Sequence, residues 1–347
     1  MSAAWDALVD AQDLPTPFLQ SWWVAEAASG TPVVLLCLDA GELVGGAAFE
    51  VDRVGRGPLS VQRVRTLGQG TLAPDHLDLI AAPGRGDEVL ERVVGWLRRP
   101  GSRLVDLDGL AAGGRLAHAL AADEVARLGA PWAPLPEDAA AYLAERPGQL
   151  RSTISRSRKR LAKAGVTSRQ VPADDAGPAL EALARLHDGR WAGDSGFLDA
   201  WERFERAARR GIASGAVTVH ELRTAEDEVI AVELDLVAGD RIAFYQAGRS
   251  TDRDWRGAGS VLKADVIARA VTDGRHEYDL LRGDESYKSD WASQRRELVR
   301  VRFGVGPMGR SLAAAAAGWV RAVPVLAAAR DRARNRFRPP AASPPGP

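Results

Sequence analysis

Short apolar runs in this chain alternate with longer stretches whose apolar positions recur every three or four residues. VVLLCLD, a turn at Ala40 and Gly41, and ELVGGAAFEV read as a β-hairpin with small residues on its second strand. VRTLGQGTLAPDHLDLI follows as a glycine-rich loop leading into a short apolar strand. In GDEVLERVVGWLRR, Val89, Val93 and Trp96 recur at helical spacing, and VDLDGL is another buried strand. Alternation of this kind predicts an α/β layer with a largely covered sheet. The proline-containing stretch APWAPLPEDAAAYLAERPG closes the first unit, with Pro136, Glu137 and Asp138 as an acid-rich helix start, and the boundary falls near Arg146. The second half repeats the theme: helices PALEALARLHDGRW and DAWERFERAARRG, hairpin AVTVHELR plus DEVIAVELDLV, strand RIAFYQAG, helix SVLKADVIARAV and strand YDLLRG. The hairpins GELVGGAAFE and EDEVIAVELD occupy comparable places in the two halves, which hints at a duplication.

A length of 347 residues suggests two domains, each able to bury a core, and 46% hydrophobic with 27% charged residues describes an ordered globular chain. Lys plus Arg and Asp plus Glu both number 46, so no bulk charge draws the chain to nucleic acid or acidic membranes, and any basic partner surface is regional. The single cysteine, Cys37, excludes an intramolecular disulfide and reads as a buried thiol. MSAAWDALVDAQDLP lacks the basic end and apolar centre of a secretory signal, so the expected compartment is the cytoplasm. Leu312 to Ala329 is alanine-rich and interrupted by Arg321 and Pro324, which argues against a membrane span. Residues 307–347 are expected to form a basic Ala/Arg-rich helix and a disordered proline-rich tail, either packed or in weak contact with a membrane surface. The scattered histidines show no metal-ligand spacing, so no metal is expected.

Five stretches carry candidate chemistry. Gly257 and Gly259 stand between a strand and a helix expected to begin near Ser260, an arrangement that presents free N–H groups to a diphosphate or is simply a turn. It does not match the P-loop pattern. Just past the strand ending at Leu281 come Arg282, Gly283, Asp284, Glu285, Tyr287 and Lys288, either a site at a strand end or a charged turn over Trp291. In EVIAVELDLV, alternation puts Glu233 and Asp235 on one face, as a buried proton acceptor or a solvated pair. His187 and Trp191 follow helical spacing with Arg190 adjacent, lining a pocket or the core edge. The stretch RSTISRSRKRLAKAG bears Arg151, Arg156, Arg158, Lys159, Arg160 and Lys163 without an acid, a solvated face or a seat for coenzyme or RNA phosphates.

The succession LHDGRWAGDSGF, EVIAVELDLVAGDRIAFYQAG and WRGAGSVLKADVIARAVTDGRHEYDLLRGDESYKSDWA resembles the FemAB-like branch of the GNAT superfamily, specifically the CelD/BcsL-type acetyltransferases, over most of residues 150–300. The signature residues are Gly274, Tyr278, Asp279, Gly283, Glu285, Tyr287, Lys288 and Trp291. The resemblance implies two tandem GNAT-like lobes, each a mixed, mostly antiparallel sheet flanked by helices: a degenerate one in residues 1–146 and a catalytic one in 147–306. It further implies transfer from acetyl-CoA or another acyl-CoA to an amine or hydroxyl of a small-molecule or cell-envelope saccharide acceptor, with no nucleic-acid partner. Arg256, Gly257, Gly259, Ser260 and Val261 then correspond to the pyrophosphate loop, although Asp254 stands where Arg or Gln is usual. Glu233 or Asp279 would receive the acceptor's proton, Tyr287 would protonate the thiolate, and Lys288 would offset developing negative charge. His187, Arg190, Trp191 and Glu285 would shape the acceptor pocket. A FemAB-type aminoacyl-tRNA-dependent transferase and a catalytically decayed binding module are the alternatives.

Overall fold

A computed structural model describes residues 1–57, 60–191 and 196–316, with the side chains of Arg190 and Trp191 outside the description. The expected basic tail beyond residue 316 therefore lies outside the described residues. The first half comprises α1 (Ser2–Asp10), α2 (Ser21–Glu26), β1 (Thr31–Asp39), β2 (Glu42–Val54), β3 (Val61–Thr66), β4 (Ile80–Ala81), α3 (Gly86–Arg98), β5 (Arg103–Ala111), α4 (Arg115–Ala119) and β6 (Glu124–Pro134). The expected hairpin is β1–β2: Asp39 pairs with Glu42 across Ala40 and Gly41, both at positive φ (+48° and +89°), the two-residue geometry that suits strand twist.

The second half comprises α5 (Ala139–Ala144), α6 (Gly148–Lys163), β7 (Thr167–Gln170), α7 (Ala176–Trp191), α8 (Trp201–Ser214), β8 (Val217–Arg223), β9 (Val229–Ala238), β10 (Arg241–Arg249), α9 (Ala258–Thr272), β11 (Glu277–Asp279) and β12 (Gln294–Val305). Asp138 caps α5, its carboxylate accepting the N–H groups of Ala140 and Ala141, as the acid-rich helix start predicts.

The strands form one twelve-stranded sheet in the order β1-β2-β3-β5-β12-β6-β11-β10-β9-β8-β7, with β4 beside β2. The pairs β3–β5 and β10–β11 are parallel and the remaining pairs antiparallel. Two strands exchange sides. β6, from the first half, pairs with β11, whereas β12, from the second, pairs with both β5 and β6. Each half thus borrows its completing strand from the other. β6 is the element that the proline-containing stretch concealed: Pro131 sits within it and accepts the Leu280 N–H through its carbonyl.

Aromatic packing and buried charge seal the junction. Phe18 and Trp23 of the first half lie with ring centroids 5.7 and 5.9 Å from Tyr245 of β10, and Phe204 of α8 stacks on Tyr245 at 5.5 Å. Asp279, at the end of β11, is fully buried. His76 Nε2 lies 2.8 Å from its carboxylate, Arg241 donates to it at 2.7 Å, and so does the Leu281 N–H at 2.7 Å. Burial alone would raise this carboxyl, but His76, Arg241 and the Leu281 N–H together overcome it and hold the group down at about 2.

Expressed separately, residues 1–146 lack β12 and residues 147–316 lack β6. Neither piece is expected to show a cooperative thermal transition, and two independently folded lobes in calorimetry would contradict the exchange. Because the Asp279 carboxyl is held below its ordinary value, its contribution is complete above about pH 4 and drains away as pH falls toward 2. Urea melts should therefore show the advantage of wild type over Asp279→Asn shrinking by about 2 kcal/mol across that window. A difference that is flat with pH would refute the assignment.

Candidate active site

β10 and β11 stay paired only from Arg241–Glu277 to Ala243–Asp279 and then part. A crevice of about 520 Å³ opens beyond that point, past the carboxyl end of β11 and along the continuing part of β10, a strand-end position of the kind where ligand sites of α/β sheets gather. Phe244 and Gln246 form one side, Leu280 to Arg282 the other, and Leu72, Ala73 and Asp75 of the first half close it across the lobe junction. That wall comes close because residue 109 is glycine: at φ +80° its Cβ would lie 2.1 Å from the Pro74 carbonyl oxygen. Two of the five non-glycine residues at positive φ among the described residues, Ala73 and Leu281, line the crevice, and a third, His76, follows its Asp75 in sequence. Strain held in this way accumulates at functional sites because the surroundings enforce it.

The crevice brings together five of the residues singled out by sequence: His187 on α7, Arg282, Glu285, Tyr287 and Lys288. Lys288 is buried, and its ammonium donates to the Arg282 carbonyl at 2.5 Å and lies 3.0 Å from Glu285 Oε2. Tyr287 is partly exposed, 38% by area, so its ring can meet a ligand. His187 is buried, with its ring 5.2 Å from that of Phe197. Arg190 and Trp191 end α7, and their side chains lie outside the described residues.

Glu233 and Asp279 are placed differently from the sequence expectation. Neither lines the crevice. Glu233 is buried on β9, where its Oε1 accepts from the Tyr278 hydroxyl at 2.7 Å and the Lys263 ammonium at 3.1 Å. Lys263, from α9, also sits 3.2 Å from the centroid of the Phe244 ring, so the cluster lies behind the crevice wall. Asp235 belongs to the same cluster. Burial and then the neighbouring Glu233 charge push its carboxyl well above the ordinary range, and neither of its oxygens has a hydrogen-bond partner. Burial also lowers the Lys263 ammonium and raises the Tyr278 hydroxyl. Asp279 is locked as an anion at the lobe junction, a poor acceptor of protons. Lys263 escaped the sequence reading; its signal is a lysine set among the apolar positions of VLKADVIARA.

The glycine turn before α9 takes the expected form, with the helix starting at Ala258 rather than near Ser260. Gly257 has φ +83°, and a Cβ there would come 2.2 Å from Ser157 Oγ of α6. The Arg160 guanidinium donates to the Arg256 carbonyl, so the basic helix lies against the turn. Gly257, Gly259 and Ser260 are partly accessible, Arg256 is exposed and Val261 is buried. Arg151, Arg156 and Lys159 project from α6 into solvent nearby, while Arg158 pairs with Asp265. In the first half, α3 occupies the corresponding place before the parallel strand β5, yet its first turn carries Asp87 and Glu88. Arg85 beside it is already paired with Asp39 and Glu88. Acids at a helix start repel an anion, so the α9 turn is the better phosphate seat of the two.

Residues 148–289 match the family model described as "Acetyltransferase (GNAT) domain". Among curated proteins none matches the chain significantly. The crystal structure of FemX superposes with a TM-score of 0.61 at 12% identity, covering 86% of this chain and 95% of that one. The C-terminal domain (DUF2156) of a candidate lysylphosphatidylglycerol synthetase from Agrobacterium fabrum superposes at 0.55 and 13% identity, covering 90% and 93%. L-PGS from Bacillus licheniformis reaches 0.50 at 11% identity, covering 81% and 90%. At such identities these structures establish a shared fold, and the family match over residues 148–289 supports an acyltransferase of the GNAT type.

Proposed function

We propose that the protein transfers an acyl group from acetyl-CoA or another acyl-CoA to an amine or hydroxyl acceptor, within the FemAB-like, CelD/BcsL-type branch that the Gly274-to-Trp291 signature resembles. The observation that carries this reading is the crevice where β10 and β11 part, whose Phe244 wall is backed by Lys263 from the early turns of α9. A donor with its diphosphate at Gly257–Ser260 would thread its thioester between the parted strands toward Lys288. The fit is chemical as well as steric: a glycine turn supplies N–H donors, and Arg256 with the basic face of α6 supplies positive charge.

In this reading the acceptor nucleophile attacks the thioester carbonyl, the new C–N or C–O bond forms, and the C–S bond breaks as the tetrahedral intermediate collapses. The Lys288 ammonium offsets charge on the oxyanion. Tyr287 gives a proton to the leaving thiolate. The acceptor's proton passes to a group that lines the crevice, and His187 fits better than Glu233 or Asp279, neither of which lines it. Arg190, Trp191 and Glu285 complete the acceptor side, for a small molecule or a cell-envelope saccharide. The reaction is proposed for the cytoplasm, where acyl-CoA is supplied. No helix among the described residues is long and apolar enough to cross a membrane.

A second reading, aminoacyl transfer from charged tRNA, draws on the exposed basic face of α6 beside the same turn. Thermal shifts separate the two readings. A rise in melting temperature with acetyl-CoA supports the first, a rise with charged tRNA alone moves the assignment to the second, and a rise with neither leaves a binding module without a transferase reaction. With acetyl-CoA as donor, Lys288→Met is expected to lower kcat by about 10²- to 10³-fold while leaving donor affinity nearly unchanged. Wild-type turnover in that variant would remove Lys288 from the chemistry.

A further inference from the structure

Lys288 does not hold its own position. Of its three N–H donors, one goes to the Arg282 carbonyl and one to Glu285. The Arg282 carbonyl is in turn fixed from the other half of the chain. The Arg282 backbone N–H donates to Asp75 Oδ2 at 2.6 Å and its Nε to Asp75 Oδ1 at 2.5 Å, while Nη1 donates to Asp108 Oδ2 at 2.8 Å and Nη2 to the Pro74 carbonyl at 2.6 Å. Asp75 is fully buried. Leu281, immediately before Arg282, has φ +57°, a conformation that persists only where neighbours enforce it.

We propose that Asp75 and Asp108 are positioning residues for Lys288: the first half of the chain, whose own helix start is lined with acids, serves the reaction by clamping Arg282 and thereby aiming the ammonium into the crevice. This deepens the reading above, on which the role of Lys288 rests. The clamp holds the Arg282 N–H and guanidinium, while the Gly283 N–H, in the peptide that carries the Arg282 carbonyl, donates to the Gly129 carbonyl of β6 at 3.1 Å; losing the clamp frees the Arg282 side of that peptide and lets Lys288 shift with it.

The chain has four lysines, Lys159, Lys163, Lys263 and Lys288. Protein labelled with lysine carrying ¹³C at Cε therefore gives four signals, with Lys288 assigned by its loss in Lys288→Arg. Asp75→Asn is expected to shift the Lys288 signal and its titration while Lys159 and Lys163 stay in place. Asp108→Asn, which removes one bond of the clamp, should shift Lys288 less and in the same direction, and it carries the test if Asp75→Asn does not fold. A Lys288 signal that superimposes on wild type in the folded variant overturns the proposal. The kinetic arm follows thiol release from acetyl-CoA. Asp108→Asn should lower kcat about tenfold with KM for acetyl-CoA unchanged, and should lower it no further in the Lys288→Met background. An undiminished effect in that background also overturns the proposal. If wild type releases no thiol with any acceptor, the acyl-CoA reading fails, and the lysine spectra still decide whether the clamp positions Lys288.

Discussion

The crevice exists because two strands leave their own half of the chain. A lobe ending at β5, or one beginning at β11, would present a row of unpaired N–H and C=O groups at its open side, an edge that proteins normally cover. Inserting β12 against β5 and β6 against β11 covers both edges at once and makes a single sheet. That continuity holds the first half's loop in register with the segment after β11, so that Asp75 meets Arg282 across 207 positions of sequence.

The buried charges at this junction are better understood as registration than as a source of stability. Taking ions out of water is costly, and a buried pair replaced by well-packed apolar residues often leaves stability unchanged or improved. Directional hydrogen bonds have what apolar contacts lack, a defined angle and length. Arg282 makes four to the opposite lobe, and Asp279 gathers His76, Arg241 and the Leu281 N–H on one carboxylate. The two halves differ in charge around this common sheet. With an acidic first turn on α3 and a glycine turn beside a basic helix on α9, the second of these two helix starts is the more favourable for an anion.

Much of the architecture was legible in local pattern, because hairpins and amphipathic helices write their periods directly into sequence. Ala40–Gly41, the Val89–Val93–Trp96 spacing and the glycines before α9 each state a conformation within a few residues. β6 was not legible, since Pro131 and Pro134 argue against a strand and its partners lie more than a hundred positions away. The same limit divides the site residues. Glu285, Tyr287 and Lys288 meet His187 in the crevice, as the strand-end argument anticipates. Alternation puts Glu233 and Asp235 on a common face, but only tertiary packing shows that this face is covered by α9 and turned toward Lys263. Asp279 reads as an acid in a motif, and its character as a locked anion comes from His76 in the other half together with Arg241 and the Leu281 N–H.

The account is tested most directly by a crystal structure with a non-hydrolysable acetyl-CoA analogue. The diphosphate is predicted to contact the backbone from Gly257 to Ser260, the pantetheine arm to run between β10 and β11, and the carbonyl mimic to lie within hydrogen-bond reach of Lys288. An analogue seated instead in the separate cavity of about 730 Å³ that borders His76 and the end of β5, or with its thioester end outside the β10–β11 gap, would contradict it.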